Sequence, residues 1–420
     1  MIVDSIYKNY YFLLSSILIL TVLIFLPTFN NDFQMEWDDQ WMLHNPFTPE
    51  GLKWGIIKLY FAKGFTGQYS PINQLMYSLL YAIDGYNPFV YHTASLFIHL
   101  INIICVFALT NIILSDCLTK EKQLSIKFII FVSTLIFAIH PLQVESVAWI
   151  SASKILLSST FYLLAGISFV SFIKKRHFFL YAITFVLFVL SYLTKEQTVT
   201  FPLFATLICY WYKIKPNKIK FWKYVCPLYG LAILCGLHFL YSVSSYEQFA
   251  DTSVYVWWQR LIYCFYSIVS YFFKWLFPSN LDWMYEFPAP YGESMPVWLI
   301  LYPILFCTFL LCFWDKVKNR LIVSSLLITF INLLLVLHLF ILPRGAVIAD
   351  RYMYLPIIGI NIIFAYYMGI IRKRHKRFSY SILFCIGLLF SFLTFYRTQD
   401  WKNSTTLKKE EPNEKWISNK

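Results

Sequence analysis

Apolar runs of about 17–25 residues recur along this chain, and each is long enough for a helix to cross the hydrocarbon core of a bilayer. A backbone in hydrocarbon has no water to bond, so such runs must close their hydrogen bonds as helices. Of the 420 residues, 59% are hydrophobic and only 14% charged. A water-soluble helical domain would show apolar stripes on polar helices instead. The expected fold class is therefore all-α, a polytopic membrane protein. Crossings are expected near 11–29, 89–114, 128–149, 154–173, 178–194, 198–213, 224–243, 297–313, 321–342, 354–371 and 379–396, about eleven in all.

The net charge of +13 does not mark a nucleic-acid binder, because the basic residues sit in short loops between apolar spans. Loops 115–127, 174–177, 213–223, 314–320 and 372–377 hold 19 of the 35 Lys and Arg but three of the 22 Asp and Glu. The positive-inside rule makes these loops cytoplasmic. Loops 30–88, 140–154, 194–197, 244–296 and 343–353 hold nine basic and 14 acidic residues. They are expected on the opposite, periplasmic or lumenal face, together with the C-terminus.

Tyr255 to Phe277 resists this scheme. A single crossing there would invert every later loop, so the segment reads as interfacial, re-entrant or half of an unrecognised pair. Its Trp257, Trp258, Tyr263, Tyr266 and Tyr271 suit an interface. Ser70 to Asp84 reads as a second helix on the outer surface. Most of the nine cysteines lie inside apolar spans and none forms a CxxC pair, which fits apolar fillers rather than disulfides or a metal site. The first span lacks a small-residue cleavage motif and reads as an anchor. The expected organisation is a membrane domain over 1–396, with its first outer loop at 30–88, and a polar tail over 397–420.

Four polar groups fall at one predicted rim. Asp38-Asp39 stands in Glu36-Trp37-Asp38-Asp39-Gln40-Trp41, just beyond the first span. Such a pair is an N-cap or solvated loop, or else a general base that takes a proton from an attacking hydroxyl. It could also hold a divalent cation through its oxygens. Trp37 and Trp41 suit interface anchoring or stacking on a sugar. The second group is His140-Pro141-Leu142-Gln143-Val144-Glu145, with Lys154 close behind. Pro141 suits the first turn of a re-started helix. The third is Thr194-Lys195-Glu196-Gln197, a tight turn with a self-paired Lys-Glu or a phosphate-holding lysine. The fourth runs from Pro343 to Pro356 and carries Arg344, Asp350 and Arg351. Asp350 and Arg351 form an ion pair, or an arginine grips a phosphate bidentately. A transporter would place ionisable groups near the bilayer midplane; here they gather at one rim.

In order along the chain, His140-Pro-Leu-Gln-Val-Glu145-Ser-Val-Ala-Trp149, Lys195-Glu196-Gln197 and Ala349-Asp350-Arg351-Tyr352-Met-Tyr-Leu-Pro356 resemble the membrane part of the TMTC-type O-mannosyltransferases and their bacterial relatives. So do Asp38-Asp39 with Asn45, Ser70-Pro71, Asn87-Pro88-Phe89 with His92, and Arg397-Thr-Gln-Asp400-Trp401. The resemblance implies the GT-C glycosyltransferase superfamily and an eleven-crossing core. It implies catalysis by the acidic pair, here Asp38 and Asp39, and a polyprenyl-phosphate sugar as donor. It also points to mannose on a protein hydroxyl, with other hexoses or glycan acceptors in bacterial relatives. Two departures stand out. TMTC proteins continue into tetratricopeptide repeats, whereas this chain stops near where the first would begin. Ser151-Ala152-Ser153-Lys154 stands where relatives often carry Gly-Arg followed by Lys or Asp.

The expectation is an inverting hexosyltransferase. Asp38 or Asp39 acts as base, Lys195, Arg344 and Arg351 hold the donor phosphate, and His140, Glu145, Lys154 and Glu196 shape the site. No cofactor is required beyond a divalent cation, if one binds. Partners are membrane lipid, the polyprenyl-phosphate sugar, a protein or glycan acceptor and, in place of the repeats, a repeat-bearing chain. An abundance of Ile, Lys, Phe, Tyr and Asn leans towards a bacterial inner membrane with a periplasmic site. The competing expectation is a lipid-carrier transporter or scaffold that keeps the fold without catalysis.

Overall fold

The structure is a computed structural model and describes residues 10–62, 68–117, 123–244, 255–289, 292–313, 315, 319–340 and 345–408. It is an all-α membrane architecture with no β-strand among the described residues. In chain order the helices are α1 (Tyr10–Phe25), α2 (Asp39–Met42), α3 (Trp54–Ala62), α4 (Pro71–Asp84), α5 (Pro88–Cys117), α6 (Gln123–Ile139), α7 (Val144–Ala148), α8 (Ser153–Lys175) and α9 (Phe178–Thr194). They continue as α10 (Phe201–Trp211), α11 (Ile219–Ser244), α12 (Trp257–Leu276), α13 (Leu301–Cys312), α14 (Arg320–Leu333), α15 (Ile357–Arg374), α16 (Lys376–Asp400) and α17 (Ser404–Lys408).

Each of the eleven expected crossings falls on a helix. Among the described residues, five helices are long and apolar enough to span a membrane, and a sixth span arises if one bent pair is counted as one. Phe178–Thr194, Val297–Cys312 and Arg320–Val336 are apolar but shorter. The bent pair, Ile126–Ile139 with Pro141–Ala148, turns by 53°. Pro141 causes the break: it lacks an N–H and its ring excludes the helical carbonyl before it.

Within Tyr255–Phe277, Trp257–Leu276 forms one unbroken helix, α12, which is not among the described helices long and apolar enough to span. Tyr263, Ser267, Tyr271 and Trp275 are buried on one side of it, while Trp257, Trp258, Phe273 and Leu276 are exposed. One side of α12 thus packs on the bundle, and the other turns an apolar, aromatic face outward. α4 follows Ser70 as expected, with Asn73, Gln74, Tyr77 and Ser78 turned inward. The boundary expected at 396 falls inside α16, which continues to Asp400.

The bundle core is made by α5, α6, α8, α9 and α15. α8 and α9 form a hairpin whose turn places Arg176 at a φ of 61°, and the Arg176 N–H closes it on the Phe172 carbonyl at 2.8 Å. α14 and α15 approach most closely at Gly359, where a Cβ would lie 2.0 Å from the Ser325 carbonyl oxygen. Within the core, His99 meets the Tyr354 hydroxyl at 2.7 Å, and Asn102 donates to that hydroxyl at 3.1 Å and to the Leu156 carbonyl at 2.9 Å. Polar residues that bridge helices in this way lock their register in a membrane interior.

This arrangement gives the bundle two chemically distinct ends. α8 starts one residue before Lys154 and ends in Lys174-Lys175, and α15 starts six residues after Arg351 and ends in Arg372-Lys373-Arg374. The acidic loop, the 140–154 segment, Lys195 and Arg351 therefore share one rim, and the basic helix ends share the other.

Candidate active site

The loop after α1 is held by the two ends of the chain together. Asn31 donates to the Thr398 carbonyl at 2.9 Å, the Asp32 N–H to the Lys402 carbonyl at 2.7 Å, and the Gln34 side chain to the Trp401 carbonyl at 2.8 Å. Trp401 stacks on Trp149 with ring centres 5.7 Å apart. The closing Arg397-to-Trp401 motif thus packs the 31–39 loop against the 140–154 segment.

The acidic pair divides. Asp39 is fully buried. One of its oxygens accepts from the Ser151 N–H at 3.0 Å and from the Ser151 hydroxyl, and the other accepts from the Gln34 N–H at 2.8 Å. Burial pushes its carboxyl up to about 6, against those hydrogen bonds, which favour the charged form. Asp38 is half-buried. It sits at the N-terminus of α2 but makes no side-chain cap bond, and its carboxylate has no hydrogen-bond partner among the described residues. One aspartate holds the loop, and the other presents an unengaged carboxylate.

A divalent cation does not fit the pair as it stands. Asp39's oxygens are taken by three donors. Among the described residues, no group of three or more His, Cys, Asp or Glu side chains converges in ligand geometry.

Two cations stand near Asp38, and a third stands near one of those two. Arg351 and Lys154 both feel its negative charge, and Lys154 also feels Lys195, Glu196 and Arg351. Arg351 pairs with the buried Glu145, whose second oxygen accepts from the Arg351 N–H at 2.7 Å. The guanidinium lies 5.1 Å from the Trp149 ring centre and 4.9 Å from that of Tyr352. Lys195 pairs with Glu196 at 2.6 Å, as the tight-turn reading expects. Lys154 is buried and donates to the side-chain oxygen of Gln68.

An Asp350–Arg351 ion pair does not form. Asp350 is buried and accepts from the Tyr285 hydroxyl at 2.8 Å. Burial and the nearby Glu145 charge raise its carboxyl above the usual carboxylate range. The turn of the 3-10 helix Asp350–Met353 sends the two neighbouring side chains in different directions.

His140 lies beneath the site rather than in it. Its Nδ1 accepts from the Leu142 N–H at 3.2 Å, which leaves Nε2 as the donor to the Trp275 carbonyl at 3.0 Å. Both ring nitrogens are occupied, so His140 ties the Pro141 turn to α12 and has no free position for proton transfer. Arg344 lies outside the described residues. Trp37 stands 4.5 Å from Trp283 and 6.2 Å from Trp149, centre to centre, and lines the aromatic side of the site. Trp41 packs away from it, beside Phe33 and Met42.

A cavity of about 520 Å³ opens between α12, α13, α14 and α15. Its walls include Phe272, Trp275, Phe306, Phe330 and Phe364, and Met353 closes one side. Met353 is in the same short turn as Arg351, so the apolar cavity and the charged rim meet there. The sequence drew attention to the α12 aromatics but not to their partners on α13 to α15. Gln34 and Gln68 carry no motif, and Ser151 stands out in the sequence only as part of a departure from the family pattern; packing alone gives each its role.

No family model and no solved structure matches the chain. Curated relatives do. It is 24% identical to human protein O-mannosyl-transferase TMTC3 over 398 residues, which is 81% of this chain and 40% of that protein. It is 26% identical to a Caenorhabditis elegans protein O-mannosyl-transferase over 355 residues, 81% of this chain and 48% of that one. Human protein O-mannosyl-transferase TMTC1 matches at 30% over 142 residues, 31% of this chain and 15% of that protein. The resemblance to TMTC-type proteins covers four-fifths of the chain, and the chain spans less than half the length of these relatives.

Proposed function

We propose that this chain is a membrane-embedded inverting glycosyltransferase. It moves a hexose from a polyprenyl-phosphate donor to a hydroxyl acceptor. The relatives are named protein O-mannosyl-transferases, which favours mannose as the sugar and a protein hydroxyl as the acceptor, delivered where needed by a repeat-bearing partner. The charge asymmetry of the loops favours a site on the periplasmic or lumenal face.

The observation that carries this reading is Asp38. It is a half-buried carboxylate without a hydrogen-bond partner among the described residues, and Lys154 and Arg351 both feel its charge. A base needs a free lone pair within reach of the acceptor, and Asp38 has one where Asp39 does not. Asp38 takes the acceptor proton as the acceptor oxygen attacks the anomeric carbon. The bond from that carbon to the phosphate oxygen breaks, and the polyprenyl phosphate leaves. A single displacement inverts the anomeric centre. The three cations offset the charge that develops on the phosphate. The polyprenyl chain occupies the cavity between α12 and α15, and the half-buried Trp37 and Trp283 offer ring surface to the sugar.

The test is transfer by purified wild type, Asp38→Asn and Asp39→Asn from a panel of polyprenyl-phosphate sugars. Asp38→Asn is expected to lower turnover by about 10²–10⁴-fold with donor binding retained. Full activity in Asp38→Asn, or donor binding without turnover in wild type for every sugar, overturns the reading.

A further inference from the structure

We infer that Lys154 is the side chain that binds the phosphate of the polyprenyl donor, and that Gln68 holds it in position. The inference deepens the transferase reading above and rests on it.

The argument is one of charge balance. Three cations gather at this rim, and two already have carboxylate partners. Glu145 neutralises Arg351 through the side chain and the backbone N–H, and Glu196 neutralises Lys195. Lys154 differs. It is 6% exposed, and its ammonium is held by the neutral amide oxygen of Gln68. No carboxylate lies within ion-pair distance of it among the described residues.

A buried ammonium without a counter-ion is costly unless an anion joins it. Burial, and then the charges of Lys195 and Arg351, lower the Lys154 ammonium to about 7, against the opposing pull of Asp38 and Glu196. An anion beside it restores the charged form. A monoanionic or dianionic phosphate placed among Lys154, Lys195 and Arg351 satisfies the group that lacks a partner without breaking either existing pair.

Gln68 suits a holding role. Its amide orients the ammonium without cancelling its charge, as a carboxylate would. Lys154 also stands three residues after Ser151, which binds Asp39. The 3-10 turn Ile150–Ala152 therefore fixes the acid loop, and the first turn of α8, directly after it, presents the cation. An ammonium is a compact point charge that a lipid phosphate can approach from several angles.

The experiment measures binding of a polyprenyl phosphate and of the matching polyprenol, by full-length protein in lipid nanodiscs. Wild type is expected to prefer the phosphate by about 10–100-fold, the range of a hydrogen bond to a charged group. Lys154→Met is expected to lose most of that preference and Lys154→Arg to keep it. Gln68→Glu retains the lysine but supplies an internal carboxylate, and is expected to weaken phosphate binding as well. Lys195→Gln is expected to lower the preference too, but by less than Lys154→Met, because Lys195 already has Glu196 as its partner.

Phosphate preference retained in a Lys154→Met protein of unchanged melting behaviour overturns the assignment. If that variant does not fold, retained preference in Gln68→Glu overturns it. No preference in wild type removes both this assignment and the proposed donor. Preference that depends on Lys154, with no sugar moved from any donor, leaves the phosphate site standing and removes the transferase reading.

Discussion

Ser151 gives both its backbone N–H and its hydroxyl to one oxygen of Asp39, across 112 residues of sequence. This bond joins the first outer loop to the 3-10 turn Ile150–Ala152 that leads into α8. It fixes the position of Asp38, the residue before Asp39, relative to Lys154.

Removing the Ser151 hydroxyl leaves a buried carboxylate with one donor fewer. Ser151→Ala is expected to destabilise the protein by about 1–3 kcal/mol near pH 8. It is also expected to raise the Asp39 carboxyl further. Thermal unfolding in detergent across a pH series checks both effects, and unchanged melting at pH 8 contradicts the first.

Asp39 predicts a direction for stability against pH. Its folded value of about 6 lies above the roughly 3.9 of an unfolded aspartate. The fold therefore favours the protonated form. That contribution is fully present below about pH 4 and is lost as pH rises through about 6. Asp39→Asn is expected to flatten this part of the profile. An equal slope between pH 4 and 6 in wild type and Asp39→Asn contradicts the prediction.

Glu145 is 1% exposed and Arg351 is its cationic partner. Glu145→Gln leaves the guanidinium without its buried counter-ion and is expected to cost about 3–5 kcal/mol. The double variant Glu145→Gln with Arg351→Gln is expected to be less unstable than the sum of the two single changes. A double-mutant cycle on unfolding free energies measures this coupling, and additive effects contradict it.

Gly359 allows α14 and α15 to touch. A Cβ there meets the Ser325 carbonyl oxygen at 2.0 Å and the Thr329 hydroxyl at 2.5 Å. Backbone cannot yield as a flexible side chain can, so Gly359→Ala is expected to cost about 1–3 kcal/mol through overpacking. Thr329 and Ile360 also line the 520 Å³ cavity. The same variant is therefore expected to change the affinity for a polyprenol, measured by equilibrium binding in nanodiscs. Unchanged stability and unchanged affinity together contradict the close-packing argument.

Much of this protein is written in its sequence for a physical reason. Hydrocarbon forces helices of fixed minimum length, so the apolar runs locate the elements. Pro141 locates the 53° break, and the Lys195-Glu196 self-pair follows from adjacency. The gathering of Asp38, Glu145, Lys195 and Arg351 at one rim follows from spans that put their polar ends on alternate sides.

Tertiary structure alone decided what each of those groups does. Sequence places Asp38 and Asp39 side by side as equals, but packing buries one against Ser151 and leaves the other unengaged. It places Asp350 next to Arg351, yet the turn turns them apart and Glu145, 206 residues away, takes the arginine. It marks His140 as a candidate, and the carbonyl of Trp275 occupies the ring. It offers Lys154 as one of several residues that shape the site, and only the absence of a nearby carboxylate among the described residues of the folded rim sets it apart. Covalent order fixes which residues reach a membrane face. The direction of each side chain, and so its partner, depends on atoms from distant helices that meet only in the fold.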